Sequence, residues 1–353
     1  MFDQHFKQVG DCIGKEDCPG VSDKGSAHYL LSWGISWGGS LGDNGYHWRM
    51  GNSVCYYGYQ NLVAAHGLLN EASMRPRGAT AIEDWQHSLE RQLELYEYLQ
   101  TSQGAFAAGV TNSYNKNYDD PPQEYKDHSF YGMWFDYQPG YADANPWFGF
   151  QPWTADRVAQ YYYITGNERA KNITSKWVSW VISEIHFNEN GDFTIPTNLK
   201  WEGLPPNTVV TITGRGTGAN SASCTARTLA YYAARSGDTQ AREVSKKLLD
   251  ALWSFHQTDK GYANVETFTQ YSNFNNPLFL PLANWSGIYP NGDVINSNST
   301  FLSVRSWFKK DPNWEKVQKY LDGGEAPSFP VHRFWENADL AISLAVYDML
   351  FNK

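Results

Sequence analysis

The sequence predicts an all-helical fold, a toroid of packed helical hairpins with a groove built by loops at one end. Three observations carry that expectation: apolar residues recur at three-to-four spacing in several long segments, strand-like alternation is scarce, and the links between the periodic segments are long and aromatic. In EDWQHSLERQLELYEYLQ, residues 83–100, the apolar positions Trp85, Leu89, Leu93, Tyr96 and Leu99 fall on one face of a helix. The same spacing marks helices over 155–165, 168–187, 221–235, 240–256 and 336–351. Thr154 and Asp238 are placed to act as N-caps, and Gly166 and Gly237 to end the preceding helices. FTIPTNL and TVVTIT are the only strand candidates, short enough to be hairpins within loops. With no low-complexity tract, charge block or tandem motif, the chain reads as one domain over 1–353.

At 353 residues the chain has ample apolar material for a core. Lys plus Arg is 28 against 37 Asp plus Glu, a net charge of -9, and cations are not clustered, which excludes nucleic acid and anionic membrane as partners. No apolar run is long enough to span a bilayer, and the opening MFDQHFKQVG is not a signal peptide, so the chain is expected to be soluble. Cys12, Cys18, Cys55 and Cys224 lack the paired spacing of a zinc site. Cys12 and Cys18 sit in the loop-like DCIGKEDCPG and could close a small disulfide. Together with the sequons at Asn172, Asn284 and Asn298, they favour an extracellular, N-glycosylated protein.

Aromatic residues make up 16% of the chain and include 15 tryptophans, more than a core alone explains when so many stand in Gly/Asn/Asp-rich stretches. Trp33, Trp37, Trp48, Trp134, Trp147, Trp153, Trp201 and Trp285 lie in or beside such loops. The densest stretch is SWGISWGGSLGDNGYHWRMG, residues 32–51. Sugar rings present apolar C-H faces and equatorial hydroxyls, so flat rings with polar tips, flanked by amides, carboxylates and arginine, make a polysaccharide groove. Glycine permits the close loop approach that a narrow groove requires.

The ordered series SAHYLLSWGISWGG, YHWRMG, YGYQN, TNSYN, GYADANPWFGFQPW, RVAQYYYITGN, KWVSWVISEI, PNGDVI, DPNW, GEAPSF and HRFW resembles the C-terminal stretch of glycoside hydrolase family 48, from about Phe2 to the C-terminus. The resemblance implies part of an (α/α)6 barrel, and an activity of reducing-end, processive, inverting cellobiohydrolase on β-1,4-glucan, with some animal members linked to chitin. It implies that Trp33, Trp37 and Trp48 line the substrate tunnel and cleft, with Arg49 as a further substrate-binding residue. Trp147 and Trp153 would stack on sugars near the point of cleavage. Tyr141 would stand beside the reacting water, and Asp143 with the Ala142 carbonyl would hold a structural calcium.

Departures from the family pattern qualify that expectation. The portion that precedes this stretch in family members supplies the general-acid glutamate, a candidate base aspartate and the other calcium ligands. Nothing in this chain corresponds to it, and Met1 aligns with the middle of a family helix, so it reads as an internal methionine. The family's acidic FEQE is Asn275-Asn276-Pro277-Leu278 here, and its YGTDLG is Arg215-Gly216-Thr217-Gly218-Ala219-Asn220, without the aspartate. Asp43, Glu124, Asp136 and Asp143 are the remaining loop carboxylates, read first as solvated or ligand-orienting groups. Three readings follow: the C-terminal portion of a cellulose- or chitin-degrading hydrolase that needs a missing N-terminal portion, a non-catalytic extracellular glycan-binding or structural protein, and a self-sufficient carbohydrate-active enzyme with a new acid-base pair.

Overall fold

The structure is a computed structural model that describes residues 29–31, 36–37, 49–50, 55–111, 114, 120–136, 146–280, 282 and 284–352, with backbone alone at 36–37, 49–50 and 136. Among these residues the helices are α1 (Leu62–Asn70), α2 (Ala81–Leu99), α3 (Gln123–Asp127), α4 (Phe150–Thr165), α5 (Glu168–Glu184), α6 (Ala219–Ser236), α7 (Thr239–His256), α8 (Trp314–Leu321) and α9 (Phe334–Phe351). The chain divides into two compact units, residues 1–255 with 334–353, and residues 256–333.

The larger unit is built from helical hairpins whose turns repeat one device. Gly166 ends α4 with φ of 71° and donates its N–H to the Tyr162 carbonyl; Asn167, next in sequence, then caps α5 by accepting from the Ala170 N–H. Gly237 ends α6 with φ of 80°, and Asp238 caps α7 by accepting from the Ala241 N–H at 2.9 Å. A left-handed glycine followed at once by a short acceptor side chain reverses the chain in two residues, which forces consecutive helices to lie side by side. The expected caps at Asp238, Gly166 and Gly237 are therefore present. Thr154 is not a cap: α4 starts four residues earlier, at Phe150, and Thr154 is buried within its first turns.

All five apolar positions of the α2 stripe are buried, led by Trp85 at 1% and Leu93 and Tyr96 at 0% exposure. Helix α6 is central: it packs against α4 on one side and α9 on the other. Its run of Ala, Ser, Cys and Thr from Ala219 to Ala230 leaves backbones free to approach closely, and nearly all of these residues are buried.

Strands are more numerous than the sequence suggests. β1 (Ser36–Trp37) pairs with β2 (Arg49–Met50), and β3 (Cys55–Tyr56), β4 (Gly109–Thr111) and β5 (Trp134–Asp136) form an antiparallel sheet in that order. β6 (His186–Phe187), β7 (Phe193–Glu202) and β8 (Val209–Gly216) form a second, whose β7–β8 hairpin contains both predicted strands. Trp134 and Trp201 are buried in β5 and β7, so these two tryptophans serve packing rather than an exposed loop face. The short α1 and α3 carry too few turns to show a periodic stripe, and α8 shows one only over Trp314, Val317 and Leu321.

The smaller unit holds α8, the antiparallel pair β9 (Gln257–Thr258) and β10 (Gly261–Tyr262), and two further pairs. In these, β11 (Asn264–Thr267) joins β14 (Ser328–Val331), and β12 (Gly287–Ile288) joins β13 (Val294–Ile295). Its interior is aromatic: Phe274 stacks against Phe301 at 6.3 Å and against Trp314 at 6.1 Å between ring centroids. No helix among the described residues is long and apolar enough to cross a membrane.

Candidate functional site

A cleft of about 580 Å³ opens in the larger unit where α4, α6 and α9 meet, a size suited to a small ligand or part of a longer one. Its indole lining comes from Trp147, Trp153 and Trp335. Trp147 is placed by the segment before α4, which is pinned to the edge of β7. The Phe148 N–H donates to the Thr197 carbonyl at 2.9 Å, the Leu199 N–H donates to the Pro146 carbonyl at 2.7 Å, and Phe148 itself is fully buried. Trp153 stands in the first turn of α4, and its ring meets that of Trp147 edge to face, with centroids 5.1 Å apart and planes at 85°. Phe150 completes the cluster, 5.4 Å from each indole and near perpendicular to both. Edge-to-face contacts of this kind set ring orientation as well as adding stability, so both indoles are pre-positioned. Both are half-buried, while Trp335, at the start of α9, is 59% exposed.

Gly149 is part of this placement. A Cβ at that position would lie 2.2 Å from the Trp147 indole, closer than atoms can approach. Gly149→Ala is expected to expel the ring from its site and cost about 1–3 kcal/mol, the usual range for overpacking. Loss of the tryptophan near-ultraviolet circular dichroism alongside a lower unfolding midpoint is the check.

The floor is polar and charged. Arg227 of α6 directs Nε at both carboxylate oxygens of Asp156 on α4, each at 3.1 Å, and its Nη1 at Asp339 Oδ1 on α9 at 3.3 Å. Nη1 also reaches the Ser343 hydroxyl at 3.2 Å, and Nη2 reaches Cys224 Sγ at 3.4 Å. Asn220 donates its amide to the second oxygen of Asp339, and its own Oδ1 is buried with no hydrogen-bond partner among the described residues. Arg157 donates to the backbone carbonyls of Gly58 at 2.7 Å and Gln60 at 2.9 Å.

Burial lifts the Asp156 carboxyl above its ordinary value, and the Arg227 guanidinium opposes that rise. For Arg227, burial pulls downward, but Cys224, Asp156 and Asp339 outweigh it and hold the guanidinium charged. Burial, reinforced by the Asp156 carboxylate, pushes the Cys224 thiol up, so it stays protonated and donates to the Pro152 carbonyl at 3.3 Å. Two carboxylates thus stand against two guanidiniums, and the floor as a whole is neutral. Such a surface offers donors and acceptors without favouring a charged ligand.

The structure brings together Trp147 and Trp153 of the residues expected from the sequence. Trp37 in β1 and Arg49 in β2 are directly paired across an antiparallel ladder, which places them side by side along the backbone. Trp33, Trp48, Tyr141, Ala142, Asp143, Asp43, Cys12 and Cys18 lie outside the described residues. Glu124 is exposed on α3, and Asp136 pairs through its backbone with Gly109. No cluster of three or more His, Cys, Asp or Glu suited to a metal is present among the described residues. Sequence reading missed Trp335, Asp156, Asp339 and Arg227. The available signal was spacing, since Trp153 precedes Asp156 by three residues and Trp335 precedes Asp339 by four, each pair on one helix face.

The sequence profile of glycosyl hydrolase family 48 matches residues 1–351. The chain belongs to that family. The family 48 chain is 42% identical to Exoglucanase B of Cellulomonas fimi in an alignment that covers 100% of the chain and 34% of that protein. It is also 42% identical to Exoglucanase-2 of Thermoclostridium stercorarium, covering 99% of the chain and 39% of the relative. Endoglucanase F of Ruminiclostridium cellulolyticum is 41% identical over 99% of the chain and 49% of its own length. The chain spans between a third and a half of the length of these curated relatives.

Proposed function

We propose that this chain is the groove-bearing C-terminal portion of a secreted glycoside hydrolase that cleaves β-1,4-glucan with inversion. The observation that carries the reading is the cleft itself: pre-positioned indoles at Trp147 and Trp153, a third at Trp335, and a neutral floor of carboxylates and guanidiniums between them. Pyranose rings are uncharged, with apolar faces and hydroxylated edges, so indoles receive the faces while Asp156 and Asp339 accept from hydroxyls and Arg157 donates to them. Membership in family 48 and relatives named exoglucanase and endoglucanase support cellulose as the polymer. On this reading the groove continues through Trp33, Trp37, Trp48 and Arg49, Tyr141 orients the attacking water, and the helices complete an (α/α)6 toroid with the remaining portion of the protein.

Electrophoresis of the native protein through gels containing a soluble β-1,4-glucan tests the reading. Mobility is expected to fall in that gel and to be unchanged in one containing dextran, whose linkages place successive rings differently. Equal mobility in all gels contradicts it.

Calcium is proposed as a structural ion held by Asp143 and the Ala142 carbonyl. Ca2+ takes about six to eight oxygens, and by resemblance this stretch supplies only these two ligands, so binding by the chain alone is expected to be weak. Elemental analysis after dialysis against EDTA should find no stoichiometric calcium; retention of one ion per chain contradicts the expectation.

A further inference from the structure

We propose that Arg227 is a positioning residue, a strut that sets the width of the cleft by fixing the helix that carries Trp153 relative to the helix that carries Trp335. The consequence for ligand binding rests on the saccharide reading above; the geometry does not. Trp153 and Asp156 share one face of α4, and Trp335 and Asp339 share one face of α9. Helix α6 lies between and packs on both. From α6 the guanidinium reaches Asp156 with Nε and Nη2, each at 3.1 Å, and Asp339 with Nη1 at 3.3 Å. A guanidinium is a planar fork with donors in fixed directions, so the separation of the two carboxylates is tied to the size of one rigid group.

The α9 end is locked a second time. Asn220 of α6 donates to Asp339, and the Ser343 hydroxyl donates to the Ser223 carbonyl at 2.8 Å while receiving Arg227 Nη1. Each carboxylate stands one helical turn from an indole, so a change in their separation is passed to the rings as a change in the gap between them. Lysine cannot replace the strut: its ammonium is a point charge on a flexible stem and does not span two acceptors in a fixed geometry.

The test measures spacing and affinity separately in the 353-residue protein. Nitroxide labels at Ile164→Cys on α4 and Ile342→Cys on α9, both exposed positions, report the distance between the helices by pulsed electron resonance. Cys12 and Cys18 are first changed to serine, while Cys55 and Cys224 are buried and remain. Arg227→Lys is compared with the wild type and with Asp238→Ala, which weakens the α7 cap without touching the cleft. The triple variant Asp156→Asn, Arg227→Gln, Asp339→Asn removes the three charges of the strut together, leaves Arg157 on its backbone carbonyls, and serves if Arg227→Lys does not fold.

A shifted or broadened distance in the Arg227 variants, with affinity for cello-oligosaccharides reduced about tenfold or more and both unchanged in Asp238→Ala, is the expected result. An unchanged distance overturns the strut, whatever happens to affinity. An altered distance with undiminished affinity overturns its role in binding. A wild-type protein that binds no oligosaccharide overturns the saccharide reading, and the distance measurement then decides the strut by itself.

Discussion

Assayed alone, the 353-residue chain is expected to release no soluble sugar from amorphous cellulose, cello-oligosaccharides or chitin oligosaccharides. An inverting glycosidase needs an acid and a base roughly 6.5–9.5 Å apart across the scissile bond. The two carboxylates that line the cleft do not offer that pair: Asp156 and Asp339 both bind Arg227, which holds them as acceptors. On the proposed reading Tyr141 orients water, but a phenol with an ordinary pKa of about 10 replaces neither carboxylate at neutral pH. Each missing acid or base typically costs about a hundred- to ten-thousand-fold, enough to take a slow polysaccharide hydrolase below detection. On the proposed reading, a protein extended through the portion that family members carry ahead of this stretch turns over the same substrates. Turnover by the short chain that vanishes with Asp136→Asn or Asp143→Asn would instead establish a self-sufficient site.

Replacing Arg227 by methionine is expected to cost about 3–5 kcal/mol of stability, because it strands two largely buried carboxylates without the guanidinium that binds both. The side chains of Arg227, Asp156 and Asp339 are only 11%, 14% and 22% exposed, unlike the surface pair of Lys246 and Asp250 at 59% and 60%. For that exposed pair the expected loss is below about 1 kcal/mol. Burial already lifts the Asp156 carboxyl, and removal of the guanidinium takes away the main group that opposes the rise. Urea unfolding gives the measurement, read as a lowered midpoint at constant slope. Neutralising both carboxylates together with Arg227 should recover most of the loss. A cost for Arg227→Met no larger than that of the surface pair would show that the cluster is not a buried ion network.

Helices were legible where periodicity ran for several turns. The α2 stripe, the paired cap and stop at Gly237 and Asp238, and the hairpin of α4 with α5 all follow from local spacing and turn chemistry. Short elements were not legible, because the two-residue strands β1 to β3 are too short to show alternation and β3 pairs with a strand far along the chain. Thr154 misled for a related reason: a threonine before an apolar run resembles a cap, yet the helix extends back through Phe150 and Gln151, which pack in the core. Of the site, Trp147 and Trp153 were visible as rings beside glycines. Arg227, Asp156 and Asp339 were not, since each is an ordinary residue on a helix until α6 brings α4 and α9 to either side of it. Trp134 and Trp201 show the converse, loop-like in composition but enclosed once their strands pair.

Calorimetric titration of the 353-residue protein with soluble cello-oligosaccharides, beside Trp147→Ala and Trp153→Ala, tests the groove most directly. Stacking a sugar on an indole removes apolar area from water, so saturable binding by the wild type and a loss of about 1–3 kcal/mol in each variant are predicted. Equal affinity in all three proteins, or no binding by a folded wild type, would contradict the assignment of this cleft to a glycan chain.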